Sequence, residues 1–303
     1  MEQNVLTTVV LPIALGVIML GLGLTLGLAD FTRVFKAPRA VLVGLVCQML
    51  ILPAAAYGVA RALALPPALA VGLMLLAASP GGASANLFSH LAKGDVALNI
   101  TLTAVNSLLS LFTLPLLVNA SIAAFINDGR VIGLQTGKVL EVFAIVLVPV
   151  TLGMLIRWRK PAAAAAMDKP VRIMSAVFLL LVVVGAIAKE RAHLTDYFAQ
   201  VGLAALAFNL ISLGTGYLVP RLAKVEARQS VAVGMEIGIH NGTLAILIAS
   251  SPRLLNDTTI AIPAAVYSVI MFFTAAAFGM AMARRKGTAE QPLPLPKMTP
   301  TAG

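Results

Sequence analysis

Two short polar segments interrupt otherwise apolar stretches of the chain, and both contain side chains that could bind ions. The first is residues 80–86 (Pro-Gly-Gly-Ala-Ser-Ala-Asn) and the second is residues 236–241 (Glu-Ile-Gly-Ile-His-Asn). In hydrocarbon an unpaired backbone group is costly, so an unwound segment at membrane depth persists only where it lines a cavity enclosed by protein. Two interruptions in corresponding places are typical of membrane transporters.

The chemistry expected at these segments is ion binding. Glu236 is the leading residue, because a carboxylate in mid-span costs at least about 2.5 to 3.5 kcal/mol on insertion scales and is functional by default. Each second half-helix would direct free N–H groups and its positive dipole end at the interruption, which favours an organic anion. The carbonyls that end the first half-helix, together with Glu236, suit a small cation. Without that carboxylate, the Pro-Gly-Gly segment would indicate a simple kink.

Further polar side chains follow the first interruption. Asn99 and Thr103 are four residues apart and therefore share one helix face. Asn106, Ser107 and Ser110 are interpreted as contacts between helices. The His, Cys and carboxylate spacings match no metal site, so no cofactor is expected.

The composition indicates an integral membrane protein. Of 303 residues, 59% are hydrophobic and 11% are charged, and the mean hydropathy is +0.96, far more apolar than soluble proteins. The net charge of +10 does not predict nucleic-acid binding, because the basic residues punctuate apolar runs instead of forming one patch. The one cysteine, Cys47, cannot form an internal disulfide.

Apolar stretches long enough to cross a bilayer predict an all-α protein with nine transmembrane helices. The expected spans are Val5–Leu28, Ala40–Ala64, Pro67–Leu91, Val96–Val118, Thr136–Ile156, Val171–Ala188, Phe198–Pro220, Ser230–Ser250 and Thr258–Ala283. The interruptions lie in the third and eighth spans, so the same element crosses in opposite directions, as in an inverted repeat. We expect a first repeat over residues 1–127, a second over 128–286, and a disordered cytoplasmic tail over 287–303.

The basic residues predict the orientation, because cytoplasmic loops hold the excess of Lys and Arg. Only 6 of the 22 Lys and Arg residues lie on the side of the N-terminus, namely Arg61, Arg130, Lys138, Lys189, Arg191 and Arg253. The N-terminus is therefore expected outside and the C-terminus in the cytoplasm, in the cell inner membrane.

From Ile18 to Arg284 the chain resembles the bile acid:sodium symporter family. The resemblance rests on residues 18–26, Gln48 before Leu52-Pro53, residues 80–86, residues 94–99 and residues 236–241. It implies a core domain with two crossed, broken helices that moves against a panel domain, in a four-plus-five repeat.

The resemblance also implies ligands for two sodium ions. The first site would use Asn86, Asn99, Thr103 and Glu236, and the second would use Gln48, Glu236, the carbonyls of Ile237 and Ile239, and His240. Relatives usually have Ser where this chain has Ala85, and Gln where it has His240. Imidazole nitrogen matches a hard cation less well than an amide oxygen does.

We therefore expect a sodium-driven carrier of a small organic anion, such as a bile acid, a keto acid or pantoate. The substrate is expected near Ala83, Ser84, Asn86, Asn241 and Gly242. Proton coupling through His240 is one alternative, because histidine titrates near neutral pH. A passive channel is another, whereas an enzyme is disfavoured because Ser84 has no base at a spacing that would pair with it.

Overall fold

The structure is a computed structural model that describes residues 11–126, 136–167, 194–251 and 254–287, with residues 169–171, 173, 174 and 177. Its principal helices are α1 (Leu11–Thr25), α2 (Leu28–Thr32), α3 (Pro38–Val46), α4 (Leu52–Ala62), α5 (Pro67–Ala78), α6 (Ala83–Leu91), α7 (Val96–Phe125), α8 (Thr136–Arg159), α9 (Leu194–Leu222), α10 (Ala227–Gly238), α11 (Gly242–Ser250) and α12 (Thr258–Gly287). A π-helical turn, Cys47–Ile51, joins α3 to α4.

Four helices in the described part are long and apolar enough to cross a membrane. They are Pro38–Ala62, which combines α3, the π-helical turn and α4, then α7, then Ala199–Leu222 of α9, and Thr258–Arg284 of α12. The prediction of a helical, multi-pass membrane protein is thereby confirmed. The count of nine helices and the inverted repeat stay predictions. Most of the sixth span, Val171–Ala188, and the tail after Gly287 lie outside the described residues.

Both expected interruptions are present. Helix α5 ends at Ala78 and α6 begins at Ala83, while α10 ends at Gly238 and α11 begins at Gly242. The two unwound segments contact each other through an antiparallel bridge between Gly81 and His240. The Gly82 N–H donates to the Ile239 carbonyl at 2.7 Å, and the Asn241 N–H donates to the Pro80 carbonyl at 2.8 Å. Backbone groups that lose their helical partners at membrane depth therefore form hydrogen bonds with each other.

The interrupted helices lie at the centre of the molecule. In α5 every residue from Leu69 to Ala78 is buried, and in α10 every residue from Ser230 to Gly238 is buried. Helix α5 packs against α7 and α12, and α10 packs against α9. A helix that is apolar around its circumference is expected inside a membrane protein, where neighbouring helices surround it.

Helix α1 packs chiefly against α8, apart from this centre. The backbones approach so closely that a Cβ at Gly23 would overlap the main chain of Val150, and a Cβ at Gly153 would overlap the main chain of α1. Small residues at such contacts are typical of helix pairs in membranes. Arg157 of α8 donates hydrogen bonds to the carbonyls of Leu24 at 3.1 Å and Thr25 at 3.0 Å, which caps the last turn of α1.

We predict that Arg157→Gln lowers the free energy of unfolding by about 0.5 to 1.5 kcal/mol, because two carbonyls of α1 lose a donor. Thermal unfolding of the purified protein in detergent measures this. Arg159→Gln is the matched control, because Arg159 loses the same charge but stacks on exposed Trp158, with 5.5 Å between the guanidinium carbon and the ring centroid. Equal effects of the two substitutions would contradict the capping role.

Candidate functional site

The carboxylate of Glu236 lies in the last turns of α10 and is fully buried. Two side chains of α7 donate to it. The Thr103 hydroxyl lies 2.6 Å from Oε2, and the Asn106 amide nitrogen lies 3.3 Å from Oε1. Among the described residues no Lys or Arg nitrogen lies within 4.0 Å of this carboxylate. The negative charge is therefore hydrogen bonded but not neutralised by a protein cation, an arrangement that is expensive unless a counter-ion or a proton is supplied.

One face of α7 lines this carboxylate. The Asn99 amide nitrogen donates to the Ala232 carbonyl at 2.8 Å, one helical turn before Glu236. The face that Asn99 and Thr103 share through their spacing of four residues points at α10. The contact of Asn106 with the carboxylate was not anticipated from the sequence. Asn106 follows Asn99 by seven residues, a spacing that places both on one face of a helix. This spacing was the sequence signal for its position.

Gln48 approaches the first interruption from the π-helical turn Cys47–Ile51. Its amide nitrogen donates to the carbonyls of Ala77 at 3.0 Å and Ser79 at 3.1 Å, which end α5. Its side-chain oxygen is buried and has no hydrogen-bond partner. Single π-turns inside α-helices are frequent at functional sites, and here the turn contains the side chain that was predicted to bind an ion.

His240 lies between two aromatic rings. It stacks on Phe208 with 5.6 Å between ring centroids, and the Tyr267 ring is 5.5 Å away. Its Nδ1 lies 3.1 Å from the Ser79 carbonyl, so Nδ1 holds the proton, because a carbonyl only accepts. In the neutral ring Nε2 is then an acceptor, and it is buried without a partner. Gln48 and His240 thus meet at one carbonyl.

The end of α10 is held from two other helices. The Gly238 carbonyl accepts hydrogen bonds from the Tyr267 hydroxyl at 2.9 Å and from the Asn209 amide nitrogen at 2.9 Å. Thr274 donates to the Asn209 oxygen in turn. The sequence does not indicate these contacts, since each residue is a lone polar side chain in a separate span and the group it supports is a backbone carbonyl.

The residues expected around the substrate occupy the starts of α6 and α11. Ala83 begins α6, and Ser84 and Asn86 are half-buried in its first turns. Asn241 caps α11, because its side-chain oxygen accepts the Leu244 N–H at 3.0 Å. Gly242 lies so close to Ser268 that an added Cβ would overlap the hydroxyl.

The remaining backbone ligands expected for a cation lie at the end of α10. Ile237 is buried in the last turn of this helix. The carbonyl of Ile239 accepts the Gly82 N–H, which leaves one of its two lone pairs.

Several buried polar atoms of these side chains have no hydrogen-bond partner. In the described part of the chain these atoms are Gln48 Oε1, Asn86 Oδ1, Asn99 Oδ1, Asn106 Oδ1 and His240 Nε2, and the set also includes the hydroxyls of Ser89, Ser107 and Ser250. For Gln48, Asn99 and Asn106 the amide orientation is fixed, because each nitrogen faces a carbonyl or carboxylate oxygen. Unpaired acceptors beside a buried carboxylate form a set of ligands for a hard cation.

Two adjacent glycines provide a test of how closely the segments meet. A Cβ at Gly81 would overlap the Glu236 carboxylate, whereas one at Gly82 would lie 3.3 Å from the His240 carbonyl. We predict that Gly81→Ala lowers the free energy of unfolding by about 1 to 3 kcal/mol through overpacking. Gly82→Ala, the matched control, should lower it less. Thermal unfolding of both variants measures this, and a smaller loss for Gly81→Ala would contradict the contact.

Comparison with known proteins identifies the family. The Sodium Bile acid symporter family model matches residues 12–196. The uncharacterized sodium-dependent transporter YocS of Bacillus subtilis is 29% identical over 261 residues, covering 85% of this chain and 78% of that protein. The probable sodium/metabolite cotransporter BASS1, chloroplastic, of Arabidopsis thaliana is 28% identical, covering 85% of this chain and 62% of the plant protein. The ileal sodium/bile acid cotransporter of Oryctolagus cuniculus is 25% identical, covering 93% and 82%.

These matches agree with the resemblance that the motifs indicated, and the relatives are transporters and not enzymes. Each of the three alignments covers 85% of this chain or more. All three therefore include the two interrupted helices and the buried carboxylate. The chain belongs to the sodium bile acid symporter family, and it is a membrane transporter.

Proposed function

We propose that this protein is a secondary-active symporter that couples the uptake of a small organic anion to sodium. The observation that supports this most is the Glu236 carboxylate, which in the described part of the chain has no cationic partner and lies near buried acceptors that have no donor. Sodium would supply the missing positive charge. The names of the relatives, which include sodium-dependent and sodium/metabolite transporters, support the same cation. The substrate is a bile acid, a keto acid or a pantoate-like anion.

The first sodium ion would bind between α7 and α10. Its ligands would be Asn86, Asn99, Thr103 and Glu236. The Thr103 hydroxyl gives its proton to the carboxylate and keeps lone pairs for the ion, while the amide nitrogen of Asn99 is used by Ala232 and its oxygen is free. Oxygen ligands with one negative charge suit a hard monovalent cation.

The second sodium ion would bind where α10 ends. Gln48, Glu236, the carbonyls of Ile237 and Ile239, and His240 would hold it. Gln48 Nε2 and His240 Nδ1 both donate to the Ser79 carbonyl, so one backbone group positions the two side chains that carry the unpaired acceptors. Because Ile239 and His240 belong to the second interruption and Ser79 to the first, this ion would stabilise their contact.

The anion would bind at the start of α6. No side chain caps this helix at its N-cap residue Gly82, whereas Asn241 caps α11. The first N–H groups of α6 and its positive dipole end are therefore the better binding site for a carboxylate, which would accept hydrogen bonds from them. Ser84 and Asn86 lie beside it, with Ala83, Asn241 and Gly242 at the same crossing. Sodium bound at Asn86 would raise the local positive potential and so the affinity for the anion. The bound anion would raise the affinity for sodium by the same factor.

Alternating access would move the central helices against the pair formed by α1 and α8. These correspond to the core and panel domains that the resemblance implies. The antiparallel pairing of Gly81 with His240 supports an inverted repeat of residues 1–127 and 128–286, because related elements of such repeats run in opposite directions. We place the N-terminus outside and the C-terminus in the cytoplasm.

The first functional prediction concerns Glu236. In proteoliposomes with an inward sodium gradient, Glu236→Gln should abolish accumulation of the anion above equilibrium, because the charge that binds sodium is lost. Glu226→Gln is the matched control. Glu226 is the exposed N-cap residue of the same helix, so this variant should accumulate substrate like wild type. Uptake by wild type that only equilibrates, with or without sodium, would indicate the passive facilitator instead.

Proton coupling is the second candidate function, because His240 Nε2 is buried without a partner. The groups that face the imidazole are the Ser79 carbonyl, the Phe208 ring and the Tyr267 ring, and Glu236 is one turn earlier in α10. No carboxylate is in hydrogen-bond contact with the ring in the described part, so little there favours the imidazolium.

We therefore predict that His240 acts as a neutral ligand. At a fixed sodium gradient, uptake by wild type and by His240→Gln should depend equally weakly on pH between 6 and 8, a range that spans the ordinary pKa of histidine of about 6.5. The sodium dependence of both should give a Hill coefficient near two, as expected for about two ions. A pH dependence that is present in wild type and lost in His240→Gln would establish proton coupling.

A further inference from the structure

A third side chain of α7 has the properties of a cation ligand. Asn106 is fully buried, and its amide nitrogen is occupied by Oε1 of Glu236 at 3.3 Å. Its side-chain oxygen is buried and has no hydrogen-bond partner. Because a carboxylate oxygen only accepts, the amide orientation is fixed, and the oxygen is the free end.

The position of that oxygen follows from the covalent structure. An amide holds its oxygen and nitrogen on the same carbon, so Oδ1 lies one amide width from the nitrogen that contacts the Glu236 carboxylate. Asn99 on the same helix face has the same arrangement, since its nitrogen is bonded to the Ala232 carbonyl and its oxygen has no partner. Two asparagine oxygens, one turn before and one turn after Thr103, are thus left unpaired along the side of α7 that faces α10.

The opposite side of the site offers less oxygen. From α6, Asn86 has a buried free oxygen, but the neighbouring Ala85 is completely buried and has only a methyl group. A cation beside Glu236 would therefore draw most of its ligands from α7. A contact between helices alone would explain the nitrogen of Asn106, but it would leave the oxygen desolvated without a partner, which is unfavourable.

We infer that Asn106 supplies an oxygen ligand to the cation bound at Glu236, in addition to bonding the carboxylate. This inference rests on the proposed sodium coupling. It assigns Asn106 two tasks, since the nitrogen orients the carboxylate and the oxygen binds the ion. The set of side-chain oxygens around the ion is then Asn86, Asn99, Thr103, Asn106 and Glu236.

The test is a sodium titration of the purified full-length protein, followed by thermal unfolding, with choline chloride keeping the ionic strength constant. A bound ion raises the unfolding temperature by mass action, so the titration gives the half-saturating sodium concentration. Asn106→Leu should raise that concentration by about tenfold or more, the effect of losing one contact to a charged group. Ser110→Ala is the control on the same helix, because the Ser110 hydroxyl bonds the Ser107 carbonyl of α7 itself, and it should leave the concentration unchanged.

Asn106→Asp separates the two tasks. This variant keeps side-chain oxygens and loses the amide donor, so a ligand role predicts that half-saturation stays within about threefold of wild type or falls, because a second carboxylate attracts the ion. A role as donor alone predicts weaker sodium binding than wild type, because the Glu236 carboxylate loses the donor that orients it and the aspartate oxygens do not reach the ion.

The outcomes that overturn the inference are distinct. Half-saturation of Asn106→Leu within about twofold of wild type would exclude the ligand role, as would sodium binding by Asn106→Asp that is about tenfold weaker than wild type. If Asn106→Leu does not fold, the aspartate variant alone decides between the two roles. Wild type with no sodium-specific stabilisation would instead refute the proposed sodium coupling, and the inference with it.

Discussion

The backbone hydrogen bonds between the two interruptions are the interaction on which the rest of the structure depends. The Gly82 N–H bonds the Ile239 carbonyl, and the Asn241 N–H bonds the Pro80 carbonyl. Without them, the polar groups released by the ends of α5 and α10 would be unpaired at membrane depth, where no water replaces them. Because these bonds fix one helix end against the other, Ser79 of the first segment lies beside His240 of the second.

The same pairing explains why the site has an excess of acceptors. Side-chain donors around the interruptions are used on backbone carbonyls, as in the bonds from Gln48 to Ser79, from Asn209 to Gly238 and from Asn99 to Ala232. Gln48 and Asn99 give their nitrogens to the backbone and keep unpaired oxygens, so structural support for the unwound segments also produces lone pairs that a cation requires. The same side chains therefore stabilise the unwound segments and form the proposed cation site.

The sequence predicted the elements whose information is local. Pro80-Gly81-Gly82 and the polar run from Glu236 marked both interruptions, and the spacing of Asn99 and Thr103 placed these two side chains on one helix face. Contacts set by tertiary packing could not be predicted. The spacing of Asn106 from Asn99 indicated a shared face, but its contact with Glu236 depends on the rotation of α7 relative to α10. The contact of Tyr267 depends on α12 passing the end of α10. The π-helical turn at Gln48 also has no local signature, because its residues read as an ordinary apolar helix.

A junction made from main-chain atoms is largely independent of side-chain identity. Of the groups that join the two interruptions directly, the amides and carbonyls are common to nearly every amino acid, while glycine is required where Gly81 meets the Glu236 carboxylate. Substitutions nearby can therefore accumulate over evolution without dismantling the scaffold. One architecture can in this way diversify its cargo, and a protein engineer seeking altered selectivity has freedom to vary the lining while the crossing itself is preserved.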